Sequence, residues 1–159
     1  MGKRISNNLG DWFQREFWKL LLEIRDEMYP AFVHEFVDSK QARAMVRPQP
    51  SDFMAKLPAW SNHYLEVKAS EKHDSLRSCF AMVRDTQLSM ARDLTKCGCV
   101  YTVWFYSEPM NEIEIWDGSE LAKNRADGKP LTVPLKVFTW PDLKEEIINV
   151  LQTNTTAHI

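Results

Sequence analysis

Two acidic residues and one lysine lie in segments with the residue alternation of β-strands. Asp52 lies in the segment 50–57, and Glu66 and Lys68 lie in the segment 63–70. Both segments are rich in β-favouring residues and are bounded by Pro or Asn, which predicts two strands. Side chains two residues apart project from the same face of a strand, so Glu66 and Lys68 are expected to share one face.

An antiparallel pairing of these two strands would bring the carboxylate of Asp52 close to that of Glu66. Two carboxylates beside an ammonium group can hold a hard divalent cation, and Mg²⁺ prefers oxygen ligands and keeps several of its own waters. Such a cation lowers the pKa of a bound water and offsets the charge on a phosphate, and a lysine stabilises further negative charge. The residues therefore predict a Mg²⁺ site that acts on a phosphate group.

The wider context of these residues resembles a known family. Asp52 is followed, after a gap of 13 residues, by Glu66-Val67-Lys68, which resembles the core motif of the PD-(D/E)XK nuclease superfamily. The segments RPQPSDF, HYLEVKAS and RDTQLSMARDLTKCGCVYTVWFYS are similar to those of phage and bacterial Holliday-junction resolvases. The resemblance covers residues 8–117, and the order of helix, acid, acid-x-lysine, glutamine-bearing helix and strand makes it more specific than the triplet alone.

The resemblance implies a metal-dependent endonuclease that cleaves branched DNA. It implies a single α/β domain over residues 1–159, of the restriction-endonuclease-like fold, with a mixed central sheet flanked by helices. The cofactor would be Mg²⁺, for which Mn²⁺ could substitute, held by Asp52, Glu66 and the carbonyl of Val67. Resolving a four-way junction takes two symmetric cuts, so the resemblance also implies a homodimer.

Gln87 lies in a segment with a helical pattern. The segment 75–96 contains no Gly or Pro and carries an apolar stripe, which predicts one long helix that begins at Ser75 and is closed by Gly98. Gln87 falls on that stripe, where a buried amide needs partners. It is either a satisfied core amide or, as the resemblance implies, a group that supports the attacking water, which Lys68 would orient.

The first helix leaves one functional position open. Apolar residues recur at spacings of three and four over 9–28, and Pro30 ends the run, which predicts an amphipathic helix. In the resembled families a glutamate follows a glycine by four residues, but after Gly10 this chain has Gln14, with Glu16 two residues further on. Either side chain could reach the site, or each could lie on a solvated flank.

Several basic residues are candidates for contacts with DNA phosphates. Lys40, Arg43 and Arg47 lie in the polar segment 38–49, which is either a solubilising surface loop or a segment that contacts the substrate. Arg84 either contacts a phosphate or forms an ion pair with an aspartate of its own helix.

The remaining segments predict the rest of an α/β domain. The run 100–106 is apolar on both faces and predicts a central strand, whereas Pro134 places a late strand near an edge of the sheet. The other predicted elements are strands at 31–37, 112–116 and 133–138, a short helix at 119–124 and a final helix opening at 139.

The composition constrains these hypotheses. A chain of 159 residues with 44% apolar residues is typical of one globular domain. A formal charge of −2 is unlike the basic excess of most nucleic-acid binders, so DNA binding would rely on local basic patches. No apolar run approaches the roughly 20 residues that span a bilayer. We read no export signal, and expect a cytoplasmic protein with no membrane partner and with flexible ends at 1–7 and 153–159.

Two other functions stay open. The chain could be another nuclease of the same class, which nicks duplexes or trims their ends. It could also be a catalytically inactive nuclease fold that binds nucleic acid or protein. Gln14 in place of an acid and the acidic isoelectric point favour the inactive module, whereas the intact set of Asp52, Glu66 and Lys68 favours the enzyme.

Overall fold

The fold was determined as a computed structural model, which describes residues 8–37, 47–72, 81–129 and 133–159. The predicted DNA contacts Lys40 and Arg43, the predicted flexible segment 1–7 and the predicted helix start at Ser75 lie outside these residues. Within the described ranges the α-helices are α1 (Leu9–Glu27), α2 (Asp85–Lys96), α3 (Gly118–Ala126) and α4 (Leu143–Leu151).

The described strands form one six-stranded sheet in sequential order. Neighbouring strands are antiparallel except for β3 and β4, which run parallel. The prediction of a mixed α/β architecture is therefore confirmed. The strands are β1 (Phe32–Glu35), β2 (Phe53–Lys56), β3 (His63–Ser70), β4 (Val100–Ser107), β5 (Glu112–Asp117) and β6 (Lys136–Phe138).

Two described helices pack on each face of the sheet. On one face, α1 and α4 pack in a hydrophobic core that includes Phe53 and Leu65 of the motif strands. On the other face, α2 and α3 pack in a second core with Val103 and Trp116 of β4 and β5. Every residue of β4 is buried, which confirms the prediction of a central strand, and β6 with its short span lies at an edge as Pro134 indicated.

The amphipathic pattern of the first helix is confirmed. The side chain of Asn8 accepts a hydrogen bond from the backbone N–H of Asp11 at 3.1 Å and caps the helix. Phe13, Phe17 and Leu21 are fully buried, so the apolar stripe fixes the face of α1 that meets the sheet. The positions of Gln14 and Glu16 follow from that orientation.

The prediction of one helix over 75–96 is wrong. The backbone leaves the helical conformation at Val83, Arg84 is extended (φ −72°, ψ 151°), and α2 begins at Asp85. The break has local partners: Gln87 Oε1 accepts a hydrogen bond from the N–H of Arg84, and Arg125 donates to the carbonyl of Val83. The apolar spacing keeps a helical period through the break. It carries no information about these polar contacts, so the sequence pattern predicted one helix.

The predicted end of that helix is confirmed at Gly98. Its φ of +87° lies in the left-handed region that glycine adopts without steric cost. The chain then enters β4 directly, so α2 and the parallel neighbour of β3 are joined by a short turn.

The C-terminal residues contact the sheet, whereas a flexible end was expected. Thr153 is buried and its carbonyl contacts His63 Nε2 at 2.9 Å. The hydroxyl of Thr156 donates to the carboxylate of Asp117 at 2.5 Å. Because these bonds join the tail to β3 and β5, residues 153–159 belong to the folded unit.

No helix among the residues with described coordinates is long and apolar enough to span a membrane. The longest, α1, has charged residues along its exposed face.

His63 makes the stability of the fold depend on pH. Its ring is fully buried, and burial lowers the pKa from 6.5 to about 4. As the pH falls below 6.5, the His63 ring binds a proton in the unfolded chain before it does so in the folded protein. The free energy of unfolding therefore falls by up to about 3 kcal/mol from this residue by about pH 4. Urea unfolding at pH 7 and pH 4 should show this loss in the wild type and a smaller loss in His63→Gln, while the exposed His158→Gln control behaves as the wild type.

Candidate active site

The hairpin of β2 and β3 brings the two predicted acids together. The last paired residues of the ladder are Phe53 and Leu65, so Asp52, which precedes β2, lies opposite Glu66 where the same register continues. Asp52 Oδ2 accepts a hydrogen bond from the backbone N–H of Val67 at 2.9 Å. The side chain of Asp52 thus takes the place of a backbone partner at the end of the ladder.

The carboxyl groups of Asp52 and Glu66 lie close enough for each charge to act on the other. Burial raises the pKa of Asp52 well above its usual range, and the charge of the nearby Glu66 carboxylate raises it further. The N–H of Val67 and the ammonium of Lys68 act in the opposite direction without cancelling the shift. Two neighbouring carboxylates shielded from water repel each other unless a proton or a cation offsets their charge.

Glu66 has two partners on one oxygen and none on the other among the described residues. Lys68 Nζ lies 2.8 Å from Oε1, and Gln87 Nε2 donates to the same oxygen at 2.7 Å. Oε2 is buried and has no hydrogen-bond partner within the described part of the chain, and the side chain is only 1% exposed. An unsatisfied anionic oxygen in such a place is costly, so it indicates a ligand-binding function.

The donor set suits a hard divalent cation. It consists of the second oxygen of Glu66, the carboxylate of Asp52 and the carbonyl of Val67, which points to the same side of β3 as the N–H that Asp52 binds. All three are oxygen ligands of the kind that Mg²⁺ and Mn²⁺ accept. Across the described ranges no three His, Cys, Asp or Glu side chains form a metal-binding group, so the backbone carbonyl and water would have to complete the coordination.

Gln87 is buried and bridges α2 to the acid pair. Its amide nitrogen binds Glu66, and its amide oxygen accepts the N–H of Arg84 at 3.3 Å. Of the two alternatives left by the sequence, the structure shows a satisfied interior amide, whose partner is the candidate metal ligand, and the support of an attacking water stays a prediction. We interpret Gln87 as a positioning residue that fixes the rotamer of the Glu66 carboxylate.

Replacing Gln87 should therefore weaken metal binding more than folding. We expect Gln87→Leu to weaken Mg²⁺ binding by about 10- to 100-fold, as loss of such a supporting contact does in other metal sites. A merely structural role would leave the Mg²⁺ concentration for half-maximal thermal stabilisation unchanged, whereas we expect it to rise. The exposed Gln152→Leu serves as the matched control and should match the wild type.

The two rival residues of α1 lie on opposite flanks of the helix. Gln14 shares its flank with Trp18, one turn later, whose ring stacks on Phe53 of β2 at 5.6 Å. Glu16 pairs with Lys19 at 3.1 Å and lies on the flank of Glu23, which reaches Lys144 of α4. The flank of Gln14 therefore lies near the apolar face of β2 that carries Phe53, and the flank of Glu16 lies on the side of α4.

The predicted DNA contacts that can be located are both exposed. Arg84 caps α2 beside the acid cluster, close enough for its charge to act on Tyr101. Of the two alternatives for Arg84, the ion pair is not formed among the described residues, where Asp85 pairs with Arg125 and Asp93 with Arg92. Arg47 is exposed at the start of the segment that leads to Asp52.

Tyr101 is a site residue that the sequence did not indicate. Its hydroxyl donates to the carbonyl of Pro50, and burial together with the charges of Glu66 and Asp52 raises the pKa of this phenol well above its usual range. The run 100–106 suggested only a buried strand. The pairing of β3 with β4 places Tyr101 beside Tyr64, and the sequence pattern did not predict that pairing.

Comparison with solved structures shows a likeness in fold. The fold resembles that of Hjc, a Holliday junction resolvase from the archaeal hyperthermophile Archaeoglobus fulgidus, with a TM-score of 0.42 and 15% sequence identity over 65% of this chain and 73% of that chain. No family model and no curated protein matches the sequence. A likeness of this size does not bear on activity, which has to be inferred from the arrangement of the side chains.

Proposed function

We propose that this protein is a Mg²⁺-dependent DNA endonuclease of the PD-(D/E)XK type that cleaves branched DNA, as a Holliday-junction resolvase does. The observation that supports the chemistry is the buried carboxylate of Glu66, one oxygen of which lacks a partner among the described residues, with the carboxyl group of Asp52 close enough to feel its charge. The preference for branched DNA is inferred from the resemblance of the motif segments to resolvases.

The roles of the residues follow from their positions. Asp52, Glu66 and the carbonyl of Val67 would hold the metal, which supplies an activated water and offsets charge on the phosphate. Lys68, which is 18% exposed and adjacent to Glu66, reaches the solvent side of the pair, where it orients the water and stabilises negative charge. Gln87 holds Glu66 in place, and Gln14 supports the site from α1 in place of an acid.

The protein would act as a homodimer. A four-way junction is resolved by two symmetric cuts, and a two-fold axis places two copies of the same site on the two strands. Arg84 and Arg47 would contact phosphates on either side of the cut, because both are exposed and lie at the ends of the segments that carry Gln87 and Asp52.

Cleavage of a synthetic four-way junction and of a linear duplex with the same sequences tests this proposal. We expect Mg²⁺-dependent scission of the junction and much slower scission of the duplex. Equal cleavage of both would support a nicking or end-trimming nuclease instead.

One alternative has specific support. Gln14 in place of an acid and the net charge of −2 favour a nuclease fold that only binds nucleic acid or protein. Such a module would bind the junction without cleaving it in Mg²⁺ or Mn²⁺, and its affinity would be the same for the wild type and Glu66→Gln.

A further inference from the structure

A row of aromatic rings crosses the sheet face that carries the acid pair. Phe32 and His34 lie on β1, and Phe36 directly follows its last residue. The three residues are two positions apart in extended backbone, so they share one face. Their rings are in contact, at centroid distances of 6.4 Å for Phe32 and His34 and 4.8 Å for His34 and Phe36. The row continues from Phe36 to Tyr64 of β3 at 6.4 Å, and from Tyr64 to Tyr101 of β4 at 6.5 Å.

The row runs from solvent into the candidate active site. Phe32 is 54% exposed, Phe36 and Tyr64 are partly buried, and Tyr101 is 1% exposed. The backbone N–H of Phe36 donates to the carbonyl of Asp52 at 2.9 Å, so Phe36 is the direct lateral neighbour of a proposed metal ligand. A molecule lying along the rings would therefore reach the acid pair.

The exposed end of the row is not covered by any described helix. On β1, α1 packs against the opposite face, where Val33 joins the core, and the core under α2 and α3 includes Tyr64 but no residue of β1. Exposed aromatic rings in a contiguous row on a sheet face are typical of a binding surface, because they remove apolar area from water when covered.

We propose that this row, defined as Phe32, His34, Phe36 and Tyr64, binds unpaired DNA bases next to the scissile phosphate. The inference rests on the proposed nuclease function and specifies its substrate as DNA with unstacked bases beside the cut. Rings stack on bases of any sequence, so the surface recognises exposed bases and not a particular sequence.

Three observations favour bases over a protein segment. Phe36 joins the row to the acid pair, because its backbone N–H donates to the carbonyl of Asp52. A molecule bound on the rings can therefore be the same molecule that carries the scissile phosphate. The planes of Phe32 and His34 are within 6° of each other and those of Phe36 and Tyr64 within 12°, so the row presents two pairs of near-parallel rings, which meet edge to face at 80° between His34 and Phe36. The charge of Arg84 acts on Tyr101, which lies next to Tyr64 at the buried end of the row, and it supplies positive charge for a phosphate.

A binding measurement without metal tests the inference independently of cleavage. The probes are a single-stranded DNA carrying 2-aminopurine and a duplex of the same sequence, each titrated with wild type and variants in EDTA. We expect Phe32→Ala to weaken binding of the single strand by roughly tenfold or more, in line with the usual loss of one base–aromatic stack, and to leave duplex binding unchanged. In the wild type, the fluorescence of 2-aminopurine should be quenched.

Matched variants separate stacking from a general loss of structure. Phe32→Trp should restore the affinity, because it keeps a ring, and Met110→Ala, which removes another exposed apolar side chain, should have no effect. Phe36→Leu should also weaken binding of the single strand, because it removes a ring of the row. A thermal melt checks that this variant folds.

Three results would overturn the inference: an unchanged single-strand affinity in Phe32→Ala, an equal loss on duplex and single strand, or a change in oligomeric state that shows the row to be covered by a second copy. These differ from failure of the proposed function. If the wild type cleaves junctions but does not stack bases, only this inference is refuted. If the wild type stacks bases but cleaves no DNA, only the proposed nuclease function is refuted.

Discussion

Asp52→Asn should abolish Mg²⁺-dependent cleavage and at the same time stabilise the metal-free protein. The carboxylate is a proposed metal ligand, so we expect cleavage to fall by at least about 10³-fold, as when an essential catalytic group is removed. Asparagine keeps an oxygen for the N–H of Val67, which the carboxylate now binds at 2.9 Å, so the turn before β2 is preserved. Cleavage of the four-way junction under single-turnover conditions measures this loss.

The expected gain in stability follows from the raised pKa of Asp52. Because the folded pKa lies well above 3.8, the folded state holds a proton that the unfolded state has lost, and folding becomes less favourable as the pH rises above 3.8. Asp52→Asn removes that repulsion, so its melting temperature in EDTA at pH 7 should exceed that of the wild type.

Addition of Mg²⁺ should reverse the order of stability. The wild type gains stability from a ligand that binds only the folded state, whereas Asp52→Asn should gain little. The exposed Asp26→Asn serves as the control. If Mg²⁺ raises the melting temperature of Asp52→Asn as much as that of the wild type, Asp52 is not a metal ligand.

Lys68→Met should lose cleavage without losing the metal. The ammonium lies 2.8 Å from Glu66 and is partly open to solvent, and removal of one preorganised charge-stabilising group in other enzymes lowers the rate by about 10²- to 10³-fold. Because the acid pair becomes more negative without the ammonium, the Mg²⁺ concentration for half-maximal stabilisation should stay the same or fall.

Cleavage rate and Mg²⁺ affinity therefore separate the role of Lys68 from that of Asp52. The exposed Lys96→Met at the end of α2 provides the matched control and should resemble the wild type in both. Parallel losses of metal affinity and cleavage in Lys68→Met would mean that the lysine serves only to hold Glu66 in place.

The sequence predicted the hairpin and its acids because the pattern is local. Alternation with a period of two placed Glu66 and Lys68 on one face, and the antiparallel turn brought Asp52 opposite Glu66, as the register of β2 and β3 has it. The central strand at 100–106 was equally accessible, since a run apolar on both faces has to lie inside a sheet.

Other features depended on contacts between distant residues. The break before α2 is held by Arg125, which lies 42 positions after Val83, and apolar periodicity carries no information about it. The difference between Gln14 and Glu16 depends on which flank of α1 faces β2, and that is decided by the packing of Trp18 on Phe53. The aromatic row is likewise formed only when β1 and β3 join one sheet.

The most direct test of the shared metal site is crystallography with anomalous diffraction from Mn²⁺. Crystals grown or soaked with millimolar Mn²⁺ should show a single strong anomalous peak in contact with the carboxylates of Asp52 and Glu66 and with the carbonyl of Val67. An Mn²⁺-treated crystal with no peak between the two carboxylates, and with Glu66 bound only to Lys68 and Gln87, would contradict the proposed nuclease site.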